Sequence, residues 1–191
     1  MSPITEEHLL KSSVGQLQQH NARITLVEHD PNWFKLFVRE AERIRRVLGA
    51  KALQIEHVGS TAIPGIMAKP IIDICLAVEN SANEQTYVPD LEKAGYKLTI
   101  REPDWHEHRL LKGPDTNINL HVFSKGSMEI ERMLLFRDWL RTNSEDRMFY
   151  ARTKKELAQQ KWKYVQNYAD AKSKVVEEII TRASLSTKNI P

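Results

Sequence analysis

Apolar positions change their period twice along this chain, and each change marks a change of structure. From Trp33, the apolar residues Trp33, Phe34, Phe37, Val38, Ala41, Ile44, Val47 and Leu48 recur at helical spacing. His29-Asp30-Pro31 supplies the helix start, with Asp30 as N-cap and Pro31 in the first turn. Gly49 ends the helix. Trp33, Phe34 and Phe37 read as core packing. A short strand-like run covers residues 24–27, and the polar residues 1–22 read as an arm or a loosely attached helix.

The second regime is strand-like. Residues 52–58 read as a strand that turns at Gly59-Ser60, and Pro64-Gly65 and Pro70 keep the following loop irregular. Residues 71–78 form a near-continuous apolar run, as in a central strand buried on both faces, and Asp73 interrupts it. Residues 83–95 read as a helix capped by Gly95, 96–101 as a strand, 102–104 as a turn and 106–111 as a strand. Over 118–123 the residues alternate, with Ile118, Leu120 and Val122 inward and Asn119, His121 and Phe123 on the other face.

From Met128 to about Arg182 the helical period returns, broken between two helices at Asn143-Ser144 with Ser144 as N-cap. Apolar residues there alternate with many Lys and Glu, as in amphipathic helices whose charges form a solvated face. Residues 184–191 read as a frayed tail. The order predicts an α+β fold: a mixed β-sheet flanked by helices, with a C-terminal helical extension. The expected organisation is an arm over 1–22, a core over 23–143, and an extension with tail over 144–191.

Bulk properties narrow the function classes. The 191 residues carry a net charge of +3, too mild and too spread to argue for nucleic acid. The lone Cys75 excludes an intramolecular disulfide framework and fits a reducing compartment. No apolar run approaches the roughly 20 residues a bilayer requires, and residues 1–14 lack a signal peptide's apolar core. A cytoplasmic location and no membrane partner are the expectations. The long C-terminal segment leaves room for a homodimer contact.

The candidate chemistry centres on Gly59-Ser60 and Asp73. Glycine lets backbone N–H groups approach a phosphate, and the hydroxyls of Ser60 and Thr61 can assist. An ordinary turn would use the same two residues. A carboxylate inside Ile71-Ile72-Asp73-Ile74 is costly to desolvate unless it is paired or binds a metal. A salt bridge with Lys69 or Arg109 is the structural alternative. Lys69 and Arg109 are equally candidates for neutralising phosphate. His121, and less strongly His57, His106 and His108, could move protons or bind a metal. The chain has no G-x-S-x-G elbow, Walker A motif or G-x-G-x-x-G.

The stretch EHVGSTAIPGIMAKPIIDI over residues 56–74 resembles the signature of the GrpB family. NLHVF over 119–123, LFRDWLR over 135–141 and residues 150–157 resemble its second half, so the resemblance spans about 24–180. That family is placed in the nucleotidyltransferase superfamily, and a related domain is joined to dephospho-CoA kinase in some bacteria. The resemblance implies a nucleotidyltransferase-like fold with its site at the Gly-Ser turn. It also implies a strand with two acids one residue apart and a third acid on a later strand, which hold Mg²⁺ or Mn²⁺ against a triphosphate. Carried over by position, Gly59-Ser60 matches the phosphate turn and Asp73 the first acid. Cys75 stands at the second acid's position, and Asn119 and His121 stand where the third is expected.

Three functions follow as expectations. The first is Mg²⁺-dependent transfer of a nucleotidyl group to an unknown acceptor. Gly59, Ser60, Thr61, Lys69 and Arg109 would hold the nucleotide, Asp73 the metal, and Asp73 with His121 the chemistry. The second is a non-catalytic module that binds a nucleotide or a coenzyme A precursor. The third is another metal-dependent enzyme using Asp73 with the histidines.

Overall fold

The computed structural model describes residues 4–188. A five-stranded mixed sheet forms from β2 (Gln54–Val58), β3 (Ile72–Val78), β4 (Lys97–Glu102), β5 (His108–Lys112) and β6 (Ile118–Ser124), in the order β2-β3-β6-β5-β4. Only the β3–β6 pair is parallel, with Asp73 opposite Asn119 and Cys75 opposite His121. The expected α+β fold, a mixed sheet flanked by helices, is therefore the observed one.

The alternation over β3 and β6 decides what each face of the sheet meets. Ile72, Ile74, Leu76, Val78, Ile118, Leu120 and Val122 point to one face. They pack under α2 (Asn32–Leu48) and α3 (Val88–Lys93). On α2, Trp33, Ala41, Ile44 and Leu48 face that core as the spacing predicts, but Phe34 is exposed. The helix starts at Asn32, whose N–H donates to Asp30 Oδ1 at 2.8 Å. Asp30 therefore satisfies an early donor from one residue further out than expected. Gly49 closes α2 with φ 55°.

The opposite face carries Val58, Asp73, Cys75, Asn119, His121 and Phe123, and α4 (Met128–Thr142) covers part of it through Ile130. Residues after Asn143 form three helices rather than one: α5 (Ser144–Ala158), α6 (Val165–Asp170) and α7 (Ser173–Lys188). Asn143, not Ser144, caps α5, accepting from the Asp146 N–H at 2.9 Å. The tail expected from Ser184 is helical to Lys188, and the rest of that expectation lies outside the described residues. Phe136, Leu140, Tyr150, Val175 and Ile179 bind α4, α5 and α7 into one cluster with Ile63 and Ile66 of the loop after β2.

The predicted strand over 24–27 is displaced. Its pairing falls on β1 (Ala22–Arg23) against β7 (Lys161–Trp162), while Ile24 packs with Ala158 and Tyr168. The residues 4–22 are docked rather than loose. Within them, α1 (Glu6–Ser12) buries Leu9, and the Val14 N–H donates to Thr99 O at 2.8 Å. The helix expected over 83–95 is a 3₁₀ turn at Glu84–Thr86 followed by α3, with Pro89 in its first turn. The strand expected from His106 begins at His108, because His106 and Glu107 lie in the left-handed region at φ 53° and 51°. Those two residues extend the turn.

Candidate functional site

A cavity of ≈ 290 Å³ opens between the Asp73 face of the sheet and the C-terminal helices. It begins where β2 ends. Gly59 holds φ 68°, and a Cβ there would lie 2.9 Å from the Asp73 Cβ. Only glycine lets the turn approach this carboxylate so closely. Ser60 lines the cavity, with its Oγ 3.4 Å from the Tyr150 hydroxyl of α5. Thr61 is used differently. Its buried hydroxyl donates to Ile71 O at 3.2 Å and lies 3.0 Å from His57 Nε2, which ties the loop to the strand it returns to.

Asp73 is the carboxylate of the site, and Asn119 Nδ2 donates to its Oδ1 at 2.6 Å. Burial opposes its ionisation. Hydrogen bonding and charge from His121, the Asn119 bond and the Lys69 charge outweigh that penalty and hold it below the usual carboxylate range. His121 Nε2 lies 3.7 Å from the same oxygen.

Three lysines converge on the cavity: Lys69 from the loop, Lys154 from α5 and Lys172 between α6 and α7. Among the described residues, none of them has a carboxylate within ion-pair distance. Lys154 is buried, donates to Met67 O at 2.7 Å and sits 5.2 Å over the Tyr150 ring. Lys69 and Lys172 lie 5.7 and 4.7 Å over the ring of Tyr168. Burial, then mutual repulsion, lowers Lys154 to about 7 and Lys69 to about 8, and burial lowers Lys172. Arg132 also lines the cavity, but it donates to Glu129 at 2.9 Å and pairs with Glu177.

Several sequence candidates are not brought here. Arg109 shares a sheet face with Val122, opposite to Asp73, and donates to Glu84 and to Glu107 O. It can neither pair with Asp73 nor reach a ligand in the cavity. His57 also lies on that far face, stacked 4.9 Å from Phe37, and burial lowers it to about 4. It is a neutral packing residue. His106 sits in the turn before β5. Lys154 and Lys172 were invisible in sequence, since they stand among the Lys and Glu that read as a solvated face, and Tyr168 read only as part of the apolar side of that segment.

The donor set does not fit the expected magnesium centre. Cys75 shares the face of Asp73 but is buried, and burial pushes its thiol up to about 12, so it stays protonated. Asn119 turns an N–H, not an oxygen, toward Asp73. No three His, Cys, Asp or Glu side chains converge as ligands would among the described residues. The excess charge in the cavity is positive, which attracts phosphate and repels a divalent cation.

Comparisons with known proteins identify the family and the fold. A family described as GrpB protein matches residues 23–182. A UPF0157 protein of Halalkalibacterium halodurans is 67% identical over 183 residues, covering 96% of this chain and 94% of the relative. The crystal structure of the conserved protein GrpB from Enterococcus faecalis has a TM-score of 0.72 at 29% identity, covering 86% of this chain and all of that one. A fainter likeness of fold, TM-score 0.49 at 14% identity over 69% of this chain and 44% of the other, joins it to the Cid1 poly(U) polymerase.

Proposed function

The chain belongs to the GrpB family, and from that premise we propose that its cavity binds the phosphate groups of a nucleotide or another phosphorylated small molecule. The observation that carries this reading is the convergence of Lys69, Lys154 and Lys172, without carboxylate partners, on the cavity that Ser60 and Gly59 line. Lys69 and Lys172, joined by Lys154 to the extent that it is protonated near pH 7, leave a positive field in a partly dehydrated site that a polyphosphate neutralises. The rings of Tyr150 and Tyr168 lie against the lysine ammonium groups and help to position them. The buried thiol of Cys75 suits the reducing, cytoplasmic setting in which such ligands are plentiful.

The finer reading is nucleotidyl transfer, and it rests on Asp73 and His121 facing the same cavity. An acceptor hydroxyl would lose its proton to His121 as its oxygen bonds the α-phosphorus and pyrophosphate leaves. Asp73 would stabilise the imidazolium so formed.

Equilibrium binding of ATP, GTP, CTP, UTP and dephospho-CoA, combined with a labelled-nucleotide transfer assay, tests both readings. Lys154→Met should weaken binding by about tenfold or more, the worth of one charge-assisted hydrogen bond. Turnover that Asp73→Ala abolishes while binding survives supports transfer. Binding without turnover in the wild type leaves a non-catalytic module. If none of the five ligands binds, the proposal falls.

A further inference from the structure

Glu129 is a buried carboxylate with no part in the lysine cluster or in nucleotidyl transfer. It stands in the first turn of α4, is 4% exposed and lines the same cavity as the lysines. Arg132 donates to its Oε1 at 2.9 Å. Its Oε2 accepts no hydrogen bond among the described residues, yet it is not sealed from solvent. Arg132 also pairs with Glu177, so one guanidinium serves two carboxylates. Burial raises the pKa of Glu129 against the pull of Arg132. A buried anionic oxygen without a donor is costly, and a ligand N–H removes that cost.

The lysines and Glu129 form separate electrostatic groups in one cavity. The charged neighbours of Glu129 are Arg132, His106 and Glu177. Those of the lysines are one another, Lys112 and Asp73. Helical spacing sets what lies with each group. Glu129, Arg132, Met133 and Phe136 share one face of α4. Val176 and Ile180 share one face of α7, and Ile180 lies two turns beyond Lys172, about 12 Å along the axis at ~1.5 Å per residue. Met133, Phe136, Val176 and Ile180 line the cavity with apolar side chains. A ligand anchored at the lysines by phosphate has an apolar wall and a free carboxylate oxygen left to meet.

The surroundings of Oε2 select the group that it takes. An ammonium would be repelled by the Arg132 guanidinium on the same carboxylate, whereas a neutral amino group is not. A guanine edge presents adjacent N–H donors and calls for both carboxylate oxygens, of which Arg132 already holds one. We propose that Glu129 recognises the exocyclic amino group of an adenine- or cytosine-type base, accepting from it through Oε2 while the apolar wall takes the ring. The proposal rests on the phosphate reading of the lysine cluster and adds the identity of the base.

Calorimetric titration of the full chain with matched ligands tests it. ITP carries a carbonyl where ATP carries its amino group, and UTP stands in the same relation to CTP. The wild type should bind the amino member of each pair about tenfold or more tightly, because the carbonyl sets oxygen against Oε2. A preference confined to one pair supports the proposal and names the base. In Glu129→Gln, Arg132 still donates to the amide oxygen, and the amide N–H groups turn to the cavity. The preference should then shrink to less than about twofold or reverse in favour of ITP and UTP. Lys154→Met should weaken both members of a pair alike and leave their ratio unchanged. A wild type with no preference in either pair overturns the proposal, whether or not the variant folds, and leaves the phosphate reading standing. So does a folded Glu129→Gln that keeps the wild-type preference. Adenosine that binds as tightly as ATP, with inosine weaker, removes the phosphate reading and leaves Glu129 in its role. If no nucleotide or nucleoside binds, both fall.

Discussion

Gly59 and Asp73 constrain each other, and the pair shows how one residue's chemistry dictates another's identity. Gly59→Ala would place a methyl group against the Asp73 side chain at φ 68°, where L residues are strained. Chemical denaturation should show a loss of about 1–3 kcal/mol, the cost of a strained backbone position. Asp73 was legible in sequence because a lone acid in an apolar strand demands a partner. The partners themselves, Asn119 and His121, became definite only through the parallel register of β3 on β6. Lys154 was illegible: a lysine among helical lysines gives no sign of burial. Its pKa near 7, against 10.5 unfolded, makes two opposite predictions. The unfolded chain binds more protons than the folded one between about pH 7 and 10, so stability rises with pH across that window. Phosphate affinity falls over the same window as the ammonium is lost. Comparing wild type with Lys154→Met by thermal melts and ATP titrations isolates both slopes, and parallel pH curves for the two proteins would refute the assignment.

At the scale of elements, periodicity located β2, β3, β6 and α2 and misjudged what lay at their ends. The turn before β5 runs on through His106 and Glu107, since left-handed backbone at both residues cannot extend a strand. Pro89 fits the first turn of α3 but keeps the helix from reaching back to Asn83, and Gly95 at φ 90° follows its end. Glu40 is the element-level surprise: a charged residue in mid-α2 that is fully buried. It accepts from the Tyr96 hydroxyl at 2.9 Å and from Thr116 at 2.9 Å, with Arg43 3.5 Å away. The helical period itself puts Glu40 on the apolar face, between Phe37 and Ile44; Arg43 is its neighbour one turn on, and the tertiary arrangement brings Tyr96 and Thr116 to it. The carboxylate joins α2 to the turn before β6 and to Tyr96 at the start of β4. Glu40→Ala would strand those buried donors, and urea unfolding should register a loss of about 3–5 kcal/mol. Glu40→Gln, which still accepts hydrogen bonds, should lose less, and equal losses would show that cavity formation rather than polar bonding dominates.

The whole molecule explains why bulk charge was a poor guide to the site. A net charge of +3 spread over 191 residues gives no hint of a local concentration. The fold creates one by folding α5, α6 and α7 back over the sheet, so that residues 69, 154 and 172 share a cavity with Asp73. The expected C-terminal extension is thus a wall of the site. The Gly-Ser turn and the lone acid were readable because one short stretch, residues 59–73, carries both, and the resemblance to GrpB proteins falls on that stretch. The helical wall was not readable, because its contribution depends on distant packing. This architecture bears on the metal. In a dicarboxylate site the acids repel a triphosphate until a divalent cation bridges them. Here Glu129 is paired with Arg132 and Asp73 faces three lysines that have no carboxylate partner, so the protein itself supplies positive charge where that cation would act. ATP affinity should therefore change less than about tenfold, or 1.4 kcal/mol, when EDTA replaces Mg²⁺ in a calorimetric titration. It should fall steeply as salt rises, since ammonium–phosphate attraction is screened. Affinity that collapses in EDTA and returns with Mg²⁺ or Mn²⁺ would show that the lysines do not substitute for the cation, and that Asp73 holds a metal after all.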